Sequence, residues 1–257
     1  MLGSMDAWRQ HGYGVRLDWG LAGATAIADQ VDVAVVVDVL SFTTTLSVAL
    51  DAGVAVLPYR WRDSRGVKFA REHDAVLAVG RSQAGPGEIS LSPTTLRGSR
   101  QLPDRIVLPS PNGSTIAQHL AATSSTCLGA SLRNAQAVAA WIAAHHDPAD
   151  STVTVVASGE HWAGGGLRPA VEDLWGAGAV IDHLEQAGWS TPSPEAAAAR
   201  AAWRGAVDDD ALGNLLSCAS GRELTQGGYR EDVVIAAEVG SSRSVPILRG
   251  KTFVNGA

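Results

Sequence analysis

Asp38 closes a continuous apolar run, Val33 to Val37, and is followed by Val39-Leu40-Ser41-Phe42-Thr43-Thr44-Thr45. A carboxylate buried in such a place is costly unless it is paired. It could hold a magnesium ion or orient a nucleophile. Thr43, Thr44 and Thr45 stand where the next helix begins, so their hydroxyls could cap that helix and present donors to a phosphate. A plain turn with a helix cap is the competing explanation, although three consecutive threonines exceed what one cap requires.

A second segment reads Ser110-Pro111-Asn112-Gly113-Ser114-Thr115. Asn-Gly predicts a tight turn with positive φ, after which backbone N–H groups at a helix start point outward. Asn112, Gly113 and Ser114 are therefore a candidate nest for a phosphate or oxyanion. An isolated Asn-Gly would equally suit an ordinary turn.

The third segment, Ser158 to Asp173, places Glu160 and His161 ahead of Gly164-Gly165-Gly166, then Arg168, then Glu172-Asp173 at a helix start. The helix dipole alone favours acidic residues there. Facing Asp38 across a pocket, Glu172 and Asp173 would instead complete an oxygen-rich magnesium site. His161 is either a general acid or an exposed loop residue.

The elements that must position these groups follow from pattern. Val33 to Val37 predicts a buried strand, followed by a helix from Thr43 to Leu50. Further short apolar runs occur at Val54 to Leu57, Ala75 to Val79, Ile106 to Leu108, Thr126 to Leu128 and Val153 to Ala157. Helical spacing covers Ser114 to Ala121, Asn134 to Ala144 and about Pro169 to Gln186. This alternation predicts an α/β fold: a mostly parallel or mixed sheet covered by helices on both faces, with a C-terminal helical segment and edge strands. In such sheets ligands bind beyond the carboxyl ends of the strands, where all three segments fall. Residues 5–189 form the main α/β region. Residues 190–257 add an alanine-rich helical pair, Ser190 to Gly221, on the rim of the sheet. A returning strand follows at Asp232 to Glu238, then an edge strand at Pro246 to Val254. They pack on the same region or form a second small lobe.

Composition narrows the partners. The chain has 257 residues, 46% hydrophobic and 18% charged, enough for a buried core. Its formal net charge is -6, lysine occurs only at Lys68 and Lys251, and no basic run is present. That argues against nucleic acid, which needs a basic footprint, but leaves room for a small anion held by a few arginines. Cys127 and Cys218 predict two reduced, packed thiols, and no Cys/His spacing suggests zinc. No apolar run approaches the ~20 residues of a membrane span, and there is no secretory h-region, so a cytoplasmic location without membrane contact is expected. Eight tryptophans are scattered along the chain and suit core or interface positions, including those of a homodimer.

Taken in order, these segments resemble the 2-phosphosulfolactate phosphatase family. That family shows Asp-Val-Leu-Arg-Ala-Thr-Thr-Thr after an apolar strand, where this chain has Asp38 to Thr45. Its Thr-Thr-Asn-Gly-Thr corresponds to Ser110 to Ser114, and its Gly-Ser-Leu-x-Asn-Ala to Gly129 to Ala135 with one extra alanine. Its Glu-Asp followed by Ala-Gly corresponds to Glu172-Asp173 and Ala177-Gly178. The order holds over roughly Val33 to Glu238. The resemblance implies a magnesium-dependent hydrolase of a small phosphorylated hydroxyacid. Asp38, Glu172 and Asp173 would be metal or acid/base groups, with His161 as a further catalytic candidate. Thr43, Thr44, Thr45, Asn112, Gly113 and Ser114 would cradle the phosphate, and Arg81, Arg133 and Arg168 remain as anion partners. The chain departs from the family at Ser41, which replaces its arginine. It departs again at Gly80-Arg81-Ser82, which replaces Gly-Glu-Arg, and at Ser90-Leu91-Ser92-Pro93, which replaces Gly-Asn-Ser-Pro. These changes keep open a non-catalytic small-anion-binding protein on the same scaffold, and a hydrolase of another class that uses His161.

Overall fold

The run Val33 to Val37 is buried on both faces, and this follows from its composition. Val33, Val35 and Val37 point into one apolar cluster, and Ala34 and Val36 into another. Successive strand side chains alternate between faces, so a run apolar at every position belongs in the middle of a sheet covered on both sides. The computed structural model describes residues 6–60 and 65–257, and Met5, the first residue of the predicted main region, lies outside them.

The elements run β1 (Val15–Trp19), α1 (Gly20–Ile27), β2 (Val31–Val37), α2 (Phe42–Asp51), β3 (Ala55–Tyr59), α3 (Arg65–Glu72), β4 (Val76–Leu77), α4 (Pro93–Gly98), β5 (Arg105–Pro109), α5 (Gly113–Thr123) and β6 (Ser124–Ala130). They continue with α6 (Ala135–His145), β7 (Val153–Ala157), β8 (Glu160–His161), β9 (Leu167–Arg168), α7 (Val171–Gln186), α8 (Pro194–Asp209), α9 (Ala211–Ser217), α10 (Ala219–Gln226), α11 (Arg230–Ala236), β10 (Pro246–Arg249) and β11 (Thr252–Asn255). Nine strands form one sheet in the order β1-β7-β2-β6-β10-β11-β3-β5-β4, and β8 and β9 form a small separate ribbon. Strands β1, β7, β2 and β6 pair in parallel, as do β3, β5 and β4. The fold class is therefore the expected one, a mixed and mostly parallel sheet flanked by helices.

Helices α6, α7 and α8 cover the Val35 face, where Val138, Ile142, Val180, Leu184 and Trp203 pack. Helices α1, α2, α4 and α5 cover the Val36 face through Ala24, Phe42, Leu46, Leu96 and Leu120. Each of the Val, Leu, Ile and Phe side chains among them, fully buried, contributes about 1.5–3 kcal/mol of apolar transfer. Both cysteines are free and buried, and burial pushes both thiols up to about 12. Among the described residues no helix is long and apolar enough to cross a membrane.

Two expectations for the C-terminal part are corrected. Asp232 to Glu238 is not a strand: Arg230–Ala236 is helix α11, with Asp232, Val233, Ile235 and Ala236 buried at helical spacing. A short apolar run carries no period of its own, and here the acidic first turn, Glu231 and Asp232, favours the helix. Pro246 to Val254 is not an edge strand either. It is the hairpin β10-β11, inserted in the middle of the sheet, antiparallel to β6 on one side and to β3 on the other. It joins the two parallel blocks, which consequently run in opposite senses.

Candidate active site

The segments that leave β2, β5 and β7 meet through two aspartates. Asp38 is buried, and both of its carboxylate oxygens accept backbone hydrogen bonds: Oδ1 from the N–H of Phe42 at 3.1 Å and Oδ2 from that of Gly113 at 3.0 Å. Phe42 and Gly113 open α2 and α5, so one carboxylate serves two helix N-termini with otherwise orphaned donors. Gly113 does not have the positive φ expected of an Asn-Gly turn. Glycine is required there for room, because a Cβ would lie 2.6 Å from Asp38 Oδ2 and 2.5 Å from Phe42 Cδ1. Asp173, at the start of α7, does the same for two loops, accepting from Val39 N–H at 2.7 Å and Gly159 N–H at 2.8 Å. Its helix comes close because Gly176 packs where a Cβ would be 2.6 Å from Val39 and 2.7 Å from Val37.

The threonine run fastens this floor. Thr43 Oγ1 donates to Asp38 O, Thr44 Oγ1 to Val39 O and Thr45 Oγ1 to Leu91 O, each at 2.7 Å, and all three side chains are fully buried. Ser114 Oγ likewise donates to Leu108 O. As placed, these hydroxyls and the Gly113 amide hold the loops together rather than line an open cradle. Asn112 reaches outward, donating through Nδ2 to Glu160 Oε2 at 3.0 Å and to Gly159 O at 3.2 Å.

Burial of carboxylates dominates the electrostatics, with their mutual repulsion second. Burial, opposed by the two backbone hydrogen bonds and Arg81 and reinforced by Glu172, pushes Asp38 up to about 6. Burial, then Asp38, pushes Glu160 up to about 7. Asp173 is held well above the carboxylate range by burial, Asp38 and Glu172. Glu172 is itself buried, and its Oε2 has no hydrogen-bond partner. A buried carboxylate oxygen without a partner is costly. Among the described residues, no three His, Cys, Asp or Glu side chains are arranged as a group able to hold a metal ion.

A cavity of about 780 Å³ opens beside this floor, within the size range of small-molecule sites. Its wall includes Leu40, Arg81, Leu91, Glu160, Ser220 and Tyr229. Arg81 is fixed on three sides. Its Nε donates to Asp232 Oδ2 at 3.0 Å, its Nη2 donates to Ser41 Oγ at 2.6 Å, and its guanidinium lies 5.7 Å from the Tyr229 ring centre. Asp232 is buried and also accepts from the hydroxyls of Ser92 and Thr94. The cation of this cavity thus arrives from a loop far along the chain and rests on Ser41.

The remaining candidates lie elsewhere. His161 is exposed on β8 and lines a second cavity of about 510 Å³ with Trp19, Asn112 and Ser158. Arg168 pairs with Glu223 at 3.1 Å and lies over Trp162. Arg133 is buried, bonds the Ser47 hydroxyl and pairs with Asp51 and Glu238. The structure thus brings Asp38, Asn112, Gly113, Glu172 and Asp173 together in one place, with Arg81 close by. The sequence reading placed Glu160 in a candidate loop without a role, and passed over Ser220, Tyr229 and Asp232. Glu160 opens β8 in the loop that leaves β7, so the rule that looks beyond strand ends reaches it too. Asp232 gave no such signal, because its partners are distant in sequence.

Comparison with known proteins places the chain in a family. Residues 23–251 match the family described as 2-phosphosulpholactate phosphatase. A probable 2-phosphosulfolactate phosphatase of Thermus thermophilus is 34% identical over 223 residues, covering 86% of this chain and 89% of that protein. A protein of the same description from Deinococcus radiodurans is 31% identical over 221 residues, covering 84% and 88%. One from Microcystis aeruginosa is 28% identical over 229 residues, also covering 84% and 88%. With the match extending from α1 to the turn of the central hairpin, the chain belongs to the 2-phosphosulpholactate phosphatase family.

Proposed function

We propose that this protein hydrolyses the phosphate ester of a small phosphorylated hydroxyacid of the 2-phosphosulfolactate type, with magnesium as cofactor. One observation carries the reading beyond the family: Glu160, raised to about 7, stands in the wall of a cavity that also presents Arg81 and is backed by the buried carboxylates Asp38 and Glu172. A carboxyl group with that affinity for protons is half protonated near neutrality, which suits a proton donor. When the ester P–O bond breaks, Glu160 gives its proton to the departing hydroxyl oxygen, and the attacking water replaces that proton. Asn112 holds the Glu160 carboxyl in place through its amide. Arg81 offsets the substrate's negative charge and shields it from the carboxylate floor.

Magnesium suits this donor set. It keeps several of its waters and takes one or two protein carboxylates together with substrate phosphate, rather than a closed protein cage. Such an ion would be completed by the substrate phosphate. Glu172, with its unpartnered oxygen, and Asp38 would hold it, and Asp173 orients the loop between them. When bound, magnesium would neutralise phosphate charge and polarise the P–O bonds.

Phosphate release from 2-phosphosulfolactate, with magnesium and with a chelator, tests the reading. The expected result is release that needs the metal and falls about 10²-fold in Glu160→Gln. The internally bonded threonine hydroxyls favour one alternative, an anion-binding protein without turnover. That reading would be supported by a folded protein that binds the compound and releases no phosphate.

A further inference from the structure

The ribbon β8-β9 separates two cavities. Successive residues of a strand point to opposite faces. Glu160 accordingly lines the cavity beside the carboxylate floor, and His161 lines the second cavity, of about 510 Å³. The other strand follows the same division. Arg168, opposite Glu160, reaches Glu223 in the wall of the first cavity, and Leu167, opposite His161, lines the second. The base of the ribbon is pressed close: Gly159 has a φ of +65°, and a Cβ there would lie 2.6 Å from Leu167 Cδ1. Gly159 is also tied on two sides, donating its N–H to Asp173 and accepting from the Asn112 amide.

The second cavity has the make-up of a small-molecule site, an apolar body with a few polar groups. Trp19, Leu21, Ile116 and Leu167 form the body. Arg60 brings positive charge and His161 an imidazole, and among the described residues of this wall there is no carboxylate. Asn112 belongs to the wall too, while its Nδ2 donates to Glu160 Oε2 at 3.0 Å. One side chain therefore faces the second cavity and holds a carboxyl of the first.

We propose that the second cavity binds a small aromatic carboxylate as an effector, and that Asn112 reports its occupancy to Glu160. The ring of the ligand lies against Trp19 and Leu167, and its carboxylate faces Arg60. The two N–H groups of the Asn112 amide cannot serve Glu160, Gly159 and a ligand together. Asn112 turns to the ligand, and Glu160 loses the bond that orients it. The effect on turnover rests on the phosphatase reading, whereas the binding and its coupling to Glu160 do not.

Titration calorimetry of the full chain with 2-naphthoate, and with 2-naphthamide as its uncharged counterpart, tests the site. The expected result is that the carboxylate binds about tenfold more tightly than the amide. Leu21 is 40% exposed on α1, so its replacement leaves the core intact. Leu21→Glu, which puts a like charge in the wall, should weaken the carboxylate about tenfold more than the amide. Leu21→Gln, of the same shape without the charge, should keep the wild-type preference. No binding of 2-naphthoate, equal binding of the two compounds, or the same preference in Leu21→Glu overturns the site. Glu160→Ala tests the coupling without turnover. With its Glu160 bond gone, Asn112 is released to the ligand, and 2-naphthoate should bind about fivefold more tightly. An unchanged affinity overturns the coupling. In a wild type that releases phosphate, saturating 2-naphthoate should lower kcat about fivefold, an effect that excess substrate does not relieve. A rise in KM alone places the compound in the first cavity and overturns the proposal. A wild type without turnover removes the phosphatase reading and leaves the calorimetry to decide the site.

Discussion

The floor of the site and the wall of its cavity are built on opposite principles. In the floor, the side chains that looked most chemical bond to the chain itself: both oxygens of Asp38 and of Asp173 accept backbone N–H groups, and Thr43, Thr44 and Thr45 donate to backbone carbonyls. In the wall, Glu160 shares its proton affinity between two states near neutrality, and Ser220 has a hydroxyl with nothing to bond. Glu172 is buried like the floor, yet its Oε2 has no partner. The contrast teaches that residue type and spacing locate a site, whereas unfilled hydrogen-bonding capacity marks the groups left for a ligand.

The comparison breaks most readily at Asp38. Asp38→Ala would strand the amides of Phe42 and Gly113 in the interior, so urea unfolding should show a loss of about 2–5 kcal/mol, with phosphate release abolished. A loss under about 0.5 kcal/mol would mean that the floor is not held as described. Glu160→Gln should behave in the opposite way, with kcat falling about 10²-fold while the unfolding midpoint barely moves. Asp232→Asn comes next. Loosening the Arg81 anchor should raise KM about tenfold and change kcat much less, with Tm dropping by a few degrees. A fall in kcat alone would assign Asp232 another role.

The smallest effect sharpens the electrostatic side. Asp38, Glu160 and Asp173 have folded pKa values above the ordinary carboxylate value of about 4. The fold therefore binds more protons than the unfolded chain between that value and about 7. Their contribution to stability is full below about pH 4 and is lost as pH rises through about 6 and about 7. Metal-free protein should lose stability across that window, and magnesium should restore most of it above pH 7, because the ion competes with those protons. Melting curves at several pH values, with and without magnesium, check both signs.

Much of this was legible from sequence, for reasons that also explain the rest. Val33 to Val37 is apolar at every position, so it read as a central strand, and the residue ending it had to lie at a strand terminus. The same logic placed Asn112 and Gly113 after β5 and Asp173 at the head of α7. The Asn-Gly turn was misread because dipeptide statistics describe backbone preference, whereas the crowding of Phe42 and Asp38 against Gly113 is tertiary. Asp232 to Glu238 was misread because five apolar residues in a row have no period. The central position of the β10-β11 hairpin could not be read from local pattern, since it depends on strands β6 and β3, which are remote in the chain. The loss of an arginine at position 41 was visible. That Arg81 rests on Ser41 was not, because a side-chain path across 40 residues leaves no trace in spacing.

The central claim is that Glu160 supplies the proton, and the pH dependence of kcat tests it most directly. With 2-phosphosulfolactate and saturating magnesium, the wild type should lose activity as pH rises through about 7, where Glu160 gives up its proton. The Glu160→Gln variant should keep only its residual rate and show no such limb. The same limb in both proteins would contradict the assignment and return the proton to another group.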